Sequence, residues 1–264
     1  MPYHRLFKIG SLCFVWLITA WFSTACATPQ PTQPMEAYLV PPTQNTPTNT
    51  PTIVWFPPTA TYTPLPTVIV TPTFDVSPQK GKMIFQDDFT ESANWALNQA
   101  ATSSIALGDR EITLAISQPG LYLFSLRKNP VLANFYLEIN ASPSLCAGSD
   151  EYGILYRVSS SLDFYRYALT CDGQVRLDKY FKNKASSPQP KTYSGSVPLG
   201  APSSSRLAIW ASGKIMRFYV NGEYQFTVQD PSIQSGSLGL FARSAEGGAV
   251  TISFSDLIVY DIRE

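Results

Sequence analysis

The chain has 264 residues, and its 19 Lys and Arg side chains balance 19 Asp and Glu side chains, so the formal net charge is zero. Because the basic residues form no cluster, the sequence lacks the electrostatic footprint of a nucleic-acid-binding protein, and we expect no nucleic-acid partner. Histidine occurs once, as His4, which excludes any histidine-dependent site elsewhere in the chain.

The first 26 residues have the pattern of a secretory signal. A basic start, MPYHRLFK, precedes an apolar run over residues 9–22 that contains Cys13, and three small residues then lead to Cys26. The apolar run is shorter than the roughly 20 residues that a membrane-spanning helix needs. We therefore expect the chain to be exported and to lose Cys13 and His4 with the signal.

The small residues that end on Cys26, in the segment STAC, resemble the lipobox of bacterial lipoproteins. In that family the cysteine becomes the first mature residue and carries acyl chains, so the resemblance implies lipidation of Cys26 and a membrane anchor. The lipobox usually has Leu three positions before the cysteine, where this chain has Ser23. Two alternatives are simple cleavage within the segment ACA, which leaves a secreted protein, and an uncleaved anchor helix. All three place the rest of the chain outside the cytoplasm.

Residues 27–79 are predicted to form a disordered linker rich in proline and threonine. They include TPTNTPT at residues 46–52 and PPTATYTPLPT at residues 57–67. Proline fixes φ and lacks the amide donor, so this composition favours an extended chain, partly polyproline II, over a helix or an inner strand. The expected organisation is a signal segment (1–26), a linker (27–79) and one globular domain (80–264).

The globular domain shows the two-residue periodicity of half-buried β-strands. Apolar and polar side chains alternate in nine segments: residues 110–117, 134–140, 152–159, 163–170, 174–180, 206–211, 214–220, 223–228 and 250–262. Asp172-Gly173 and Asn221-Gly222 stand at hairpin corners, where both central residues are expected to have positive φ. No segment has the pattern of a long helix, so we predict an all-β fold of antiparallel strands, a sandwich or a barrel.

Three parts of the domain resemble the concanavalin A-like lectin/glucanase jelly rolls of bacterial surface proteins. IFQDDFTESANW is similar to their first strand, YGILYRVSSSLDFYRYALTCDGQVRL to their central hairpins, and MRFYVNGEYQFTVQDPSIQSGSLGLFARS with VTISFSDLIVYDI to their closing strands. The groups that it resembles most are the laminin-G-like modules and the 3-keto-disaccharide hydrolase-like proteins. The resemblance implies a two-sheet antiparallel jelly-roll sandwich, a fold that hosts lectins, glycosidases and purely structural modules alike.

The sequence carries no recognisable catalytic motif of these glycosidases. Without His4, the mature chain cannot use histidine acid–base catalysis, a Ser-His-Asp triad or a histidine metal site. The Glu-x-Asp-x-x-Glu motif of the glucanases with this fold is missing, Glu138 stands alone, and Asp150 and Glu151 are expected in a solvated turn. We therefore favour a non-catalytic module for polysaccharide or another glycan. The alternative is a glycan-active enzyme of the 3-keto-disaccharide hydrolase-like group.

Strand alternation predicts one outward face shared by neighbouring strands. In the fold that the chain resembles, glycans lie on the concave face of the front sheet, where planar rings stack on sugars and arginines and carboxylates bind hydroxyl groups. The alternative is a ladder of charge pairs on a solvent face, each contributing about 0.2–1 kcal/mol to the sheet. The candidate ligand-binding residues are Tyr136, Glu138, Arg157, Phe164, Arg166, Arg176 and Asp178.

Cys146 and Cys171 are the two cysteines of the globular domain. In an exported protein two such cysteines most simply pair with each other, so we expect one disulfide. Two buried free thiols are the alternative.

The resemblance also implies a structural calcium ion, since related modules often carry one. Asp87 and Asp88 near the first strand and Asp256 near the last are the candidate ligands, with solvated acidic side chains as the alternative. No other cofactor is expected. The expected partners are a glycan or cell-envelope polysaccharide and, through the lipid on Cys26, the membrane.

Overall fold

A computed structural model describes residues 77–245 and 248–262 of the chain. The predicted signal, the lipobox-like Cys26 and the linker up to residue 76 lie outside the described residues. Within the described part, no helix has both the length and the apolar character needed to cross a membrane.

The described residues fold almost entirely into β-structure, with fifteen strands and a single 3-10 turn at Ser92–Asn94. The strands are β1 (Lys80–Asp87), β2 (Asn98–Gln99), β3 (Ser103–Gly108), β4 (Glu111–Ile116), β5 (Tyr122–Leu126), β6 (Phe135–Leu145), β7 (Glu151–Ser160), β8 (Asp163–Thr170), β9 (Gln174–Phe181), β10 (Lys184–Tyr193), β11 (Ser205–Ser212), β12 (Ile215–Val220), β13 (Glu223–Gln229), β14 (Ser237–Arg243) and β15 (Val250–Ile262). Each of the nine predicted segments coincides with one of these strands.

The strands form two antiparallel sheets. One has nine strands in the order β13-β12-β11-β6-β15-β4-β3-β2, with β1 also paired to β15, and the other has six in the order β10-β9-β8-β7-β14-β5. β15 is long enough to pair with β4 along its first half and with β1 along its second half. The predicted two-sheet antiparallel jelly-roll sandwich is therefore confirmed.

The core lies between the sheets and is rich in aromatic side chains. Tyr156 and Tyr165 stack with their ring centroids 5.3 Å apart, and Phe218 stacks on Phe226 at 4.6 Å. The hydroxyl groups of both stacked tyrosines are hydrogen-bonded: Tyr156 donates to the Met216 sulfur at 3.1 Å, and Tyr165 donates to Asp230 at 2.9 Å. The polar ends of these large side chains are thus satisfied inside an apolar core.

The two hairpin corners differ from each other. Asn221 and Gly222 both have positive φ (52° and 83°), as the Asn-Gly sequence predicts. At the other corner only Gly173 does (85°), so the expectation for Asp172 was wrong. Here the Thr170 hydroxyl accepts the Gln174 N–H at 2.9 Å, and the Gly173 N–H donates to the Thr170 carbonyl. This side-chain bond stabilises a longer turn in which glycine alone needs the left-handed conformation.

The chain crosses from one sheet to the other between β6 and β7. β6 belongs to the nine-stranded sheet and β7 to the six-stranded sheet, so they are not neighbours. Cys146, just after β6, is bonded to Cys171, just after β8, with their Cα atoms 5.9 Å apart. The expected disulfide is confirmed, and it links the ends of strands that lie in opposite sheets.

A β-bulge in β7 reverses the alternation of its side chains. The register of β7 against β8 shifts after Tyr156, and Arg157 has a φ of 49°, in the left-handed region. Strict alternation from Ile154 and Tyr156 would place Val158 in the core, but it packs with Leu155 on the outer face. The neighbouring backbone passes so close that a Cβ on Gly236 would lie 2.3 Å from the Arg157 carbonyl carbon, so only glycine fits there.

The prediction that Arg157 faces outward as a ligand-binding residue was wrong. Its side chain is fully buried, and its two terminal nitrogens donate to the carbonyls of Ile233 at 3.1 Å and Ala133 at 2.9 Å. Burial lowers the pKa of its guanidinium. Arg157 therefore ties together the segments that precede β6 and β14.

Removal of the disulfide should destabilise the domain. A bond across a sequence separation of 25 residues restricts the unfolded chain, and its loss costs about 3 kcal/mol. The double variant Cys146→Ser, Cys171→Ser is expected to melt about 6–12 °C below the wild type. As a control, reducing agent should lower the melting temperature of the wild type and leave that of the variant unchanged. Two alkylatable thiols in the unreduced, denatured wild-type protein would contradict the bond.

Arg157 should contribute to stability in a way that outward-facing arginines do not. Arg157→Ala removes two donors from buried carbonyls and leaves a cavity, so we expect the free energy of unfolding to fall by about 3 kcal/mol. The matched control is Arg243→Ala, because the Arg243 side chain is 42% exposed and its loss should cost less than about 1 kcal/mol. Urea unfolding measures both, and equal effects would refute the structural role.

Candidate ligand-binding groove

The outer face of the six-stranded sheet carries a groove of about 440 Å³. In β8, Tyr165, Tyr167 and Leu169 point into the core, and alternation turns Phe164 and Arg166 outward. The same rule places Arg176, Asp178 and Tyr180 on the outer side of β9. The residues that line the groove are Tyr122, Phe164, Arg166, Arg176, Tyr180 and Arg243.

Asp178 holds two of the groove arginines in position. Its carboxylate accepts hydrogen bonds from the Nε atoms of Arg166 at 3.0 Å and Arg176 at 3.1 Å, and from the Ser187 hydroxyl at 2.6 Å. Burial raises the pKa of Asp178, but the bonds from Arg176 and Ser187 and the charge of Arg166 outweigh it, so the pKa is lowered. The carboxylate is therefore ionised and fully engaged.

Glu151 lies at the centre of the same ion-pair network. Its carboxylate is 3.0 Å from the Nη1 atom of Arg176, 3.2 Å from the Lys191 Nζ atom, 3.5 Å from the Arg243 Nη1 atom and 3.6 Å from the Arg166 Nη2 atom. The residue is completely buried. The expectation of a solvated turn was wrong for Glu151, because these four cations close over its carboxylate.

The neighbouring Asp150 is also buried, which corrects the same expectation. Its carboxylate accepts the backbone N–H groups of Ala147 at 3.0 Å and Ala245 at 2.8 Å. Asp150 thus closes the loop that enters β7 and connects it to the end of β14.

Aromatic rings form the walls of the groove. Phe164 and Tyr180 stack on adjacent strands with centroids 4.7 Å apart, and Tyr122 stacks on Phe241 at 5.6 Å. The Arg166 guanidinium lies 5.6 Å from the ring centres of both Tyr122 and Tyr180. Both Phe164 and Tyr180 are half-buried, so each keeps accessible ring surface.

The groove continues into a smaller apolar cleft of about 150 Å³, reached past Phe164. Leu126, Leu155 and Val158 line it, and the end of β7 contributes Ser160. The outer face of the six-stranded sheet is therefore polar and cationic at one end and apolar at the other.

Tyr136 and Glu138 do not lie on this face. Both are on β6, in the nine-stranded sheet, because the chain changes sheets before β7. Glu138 accepts the Lys80 ammonium at 2.9 Å, the Arg206 Nε at 3.2 Å and the Tyr136 hydroxyl at 3.2 Å. Burial raises the pKa of Glu138, but the hydrogen bonds from Arg206 and Lys80 outweigh this effect. The pKa is therefore lowered, which keeps the carboxylate ionised. The prediction that these two residues share a face with Arg166 was wrong.

The three candidate calcium ligands each have separate partners. Asp87 pairs with the Arg127 Nε at 2.8 Å and accepts the Trp95 indole N–H at 3.1 Å. Asp88 accepts the Thr90 hydroxyl, and Asp256 accepts the Asn140 amide, both at 2.8 Å. The described residues contain no group of three or more His, Cys, Asp and Glu side chains able to hold a metal ion.

The structure thus brings together four of the seven candidate ligand-binding residues: Phe164, Arg166, Arg176 and Asp178. Sequence reasoning missed the others that build the groove. Tyr180 follows Asp178 at the alternation period of β9 and lies within the predicted segment 174–180, so the same alternation could have found it. Tyr122, Lys191 and Arg243 come from strands that were not assigned by periodicity.

Comparison with known proteins shows the fold. No family model and no curated protein sequence matches the chain. Among solved structures, it is similar to a Bacillus subtilis protein of unknown function with a galectin-like fold (TM-score 0.55, 11% identity, covering 71% of this chain and 100% of that one). It is also similar to carbohydrate-binding module CBM66 from Bacillus subtilis (TM-score 0.51, 15% identity, covering 64% of this chain and 96% of that one). A third similar structure is the catalytic domain of an endo-1,3-beta-glucanase from Thermotoga petrophila (TM-score 0.51, 8% identity, covering 70% of this chain and 100% of that one). At these identities the similarity establishes a jelly-roll fold that binding modules and glucanases share.

Proposed function

We propose that residues 80–264 form a non-catalytic glycan-binding module that holds a polysaccharide in the groove of the six-stranded sheet. The observation that carries this proposal is the stacked Phe164–Tyr180 pair beside arginine guanidiniums in one cleft. Accessible rings provide flat surfaces for sugar rings, and guanidiniums donate to hydroxyl and acidic groups. The fold shared with a carbohydrate-binding module supports the same proposal.

The groove is built in advance of ligand binding. Asp178 accepts hydrogen bonds from Arg166 and Arg176, so the orientation of both side chains is fixed before a ligand binds. Side chains that are already ordered lose little conformational entropy on binding, which favours affinity. The two buried carboxylates therefore position the donors, and the rings and the more exposed cations contact the glycan.

Hydrolysis is less well supported. A glycosidase needs one carboxylic acid that is protonated near neutral pH and a second carboxylate beside the sugar. Glu151 is completely buried under four cations, and the pKa of Asp178 is lowered. Glu138 is ionised and lies on the other sheet, and Asp150 is buried and accepts two backbone N–H groups. The hydrolase alternative lacks a free acid in the groove among the described residues.

The rings should be required for glycan binding. Phe164→Ala with Tyr180→Ala is expected to weaken binding to an immobilised polysaccharide by tenfold or more, because about 1 kcal/mol of stacking is lost at each ring. Tyr180→Phe keeps the ring and should bind like the wild type. The control Tyr224→Ala removes a 40%-exposed tyrosine from β13 of the other sheet and should change nothing. Bound polysaccharide should be recovered intact. Release of new reducing ends would support the hydrolase instead, and unchanged binding by the double variant would refute the groove.

The proposal includes a lipid anchor at Cys26, supported by the signal pattern and the lipobox-like segment. The module would then act outside the cytoplasm, on the membrane surface. Cys26→Ser is expected to release the protein from the detergent phase or block its processing. Cys13→Ser is the matched control, because Cys13 lies in the apolar run that is removed. A wild-type mature N-terminus after Cys26, without acyl mass, would contradict lipidation and leave a secreted module.

A further inference from the structure

The ion-pair network of the groove contains more cations than carboxylates. Arg166, Arg176, Lys191 and Arg243 surround Glu151, and Asp178 is the other carboxylate within the network. Four positive charges against two negative charges leave an excess of two within this network, although the whole chain has a net charge of zero. Asp172, in the turn after β8, lies outside this network. Its carboxylate accepts hydrogen bonds from the Thr170 hydroxyl and the Gln174 side-chain amide.

The four cations differ in how much of their binding capacity is already used. Arg166 and Arg176 each donate more than one hydrogen bond to Asp178 and are 6% and 18% exposed. Arg243 contacts Glu151 through Nη1 alone at 3.5 Å, and its side chain is 42% exposed. Lys191 is one-third exposed (33%) and pairs with Glu151 at 3.2 Å. Within the described residues, Arg243 and Lys191 therefore keep donors for a further anion.

Arg243 lies in the groove with the stacked rings of Phe164 and Tyr180, and Lys191 is connected to Arg243 through Glu151. A sugar ring stacked on the aromatic pair would place its substituents near the Arg243 fork. A guanidinium binds a planar carboxylate in bidentate geometry, and a nearby ammonium adds a second charge.

We propose, resting on the proposed glycan-binding function, that the ligand is an acidic polysaccharide whose uronic-acid carboxylates are bound by Arg243 and Lys191. The sugar rings stack on Phe164 and Tyr180, and the carboxylate of the same or the next residue neutralises the excess charge. Charge complementarity selects the acidic glycan, and the rings alone do not distinguish it from a neutral one.

The test compares glycans that differ only in charge. Polygalacturonate, alginate and hyaluronan are each presented to the full mature protein beside their methyl-esterified counterparts, at low and high salt. At least one acidic form should bind tenfold or more tightly than its ester at low salt, and the preference should shrink as salt screens the ion pairs. Arg243→Gln with Lys191→Gln should abolish the preference, so that the acidic form binds no more tightly than its ester.

The control variant removes two positive charges elsewhere. Lys82→Gln with Lys214→Gln changes exposed lysines associated with the nine-stranded sheet and should keep the preference. Phe164→Ala should weaken binding of the acidic and esterified forms alike. Equal binding of both forms, or binding to neutral glycans alone, would overturn the acidic specificity while leaving the proposed function intact. Binding to no glycan, acidic or neutral, would overturn both.

Discussion

The buried carboxylate of Glu151 is the constraint on which the outer face of the six-stranded sheet depends. An isolated carboxylate without water would cost several kcal/mol, so it must be paired on all sides. Its partners are Arg166 on β8, Arg176 on β9, Lys191 on β10 and Arg243 on β14. One side chain on β7 thereby connects five neighbouring strands. It sets the positions of the cations that line the groove.

Local alternation was sufficient to predict most of the fold. The period of two identified nine strands, and β15 was bounded at Val250 and Ile262 as the structure has it. Alternation works because each strand buries one face against the opposite sheet, which the chain encodes residue by residue. It fails where a distant contact changes the phase. The bulge at Arg157 depends on the close approach of Gly236, which immediately precedes β14. The sequence around β7 contains no sign of this contact.

The strands that periodicity missed have physical reasons for a weak signal. β10 contains two prolines, which an edge strand tolerates because one side of its backbone needs no partner. β14 is buried along nearly its whole length and so reads as a continuous apolar run. Three of the six residues that line the groove were predicted from the sequence. Phe164, Arg166 and Arg176 follow from alternation in β8 and β9, whereas Arg243 depends on sheet order, which no local pattern contains.

The two outer faces of the sandwich combine similar side chains with different consequences. On the nine-stranded sheet, the Lys80 ammonium lies 5.0 Å from the ring centre of Tyr136 and also pairs with Glu138, so charge and ring satisfy each other. On the six-stranded sheet, Glu151 and Asp178 are each paired with two or more cations, whereas the more exposed cations Lys191 and Arg243 each keep unused donors. The outer face of the six-stranded sheet therefore combines incompletely neutralised cations with accessible rings, which is why the proposed ligand is placed there.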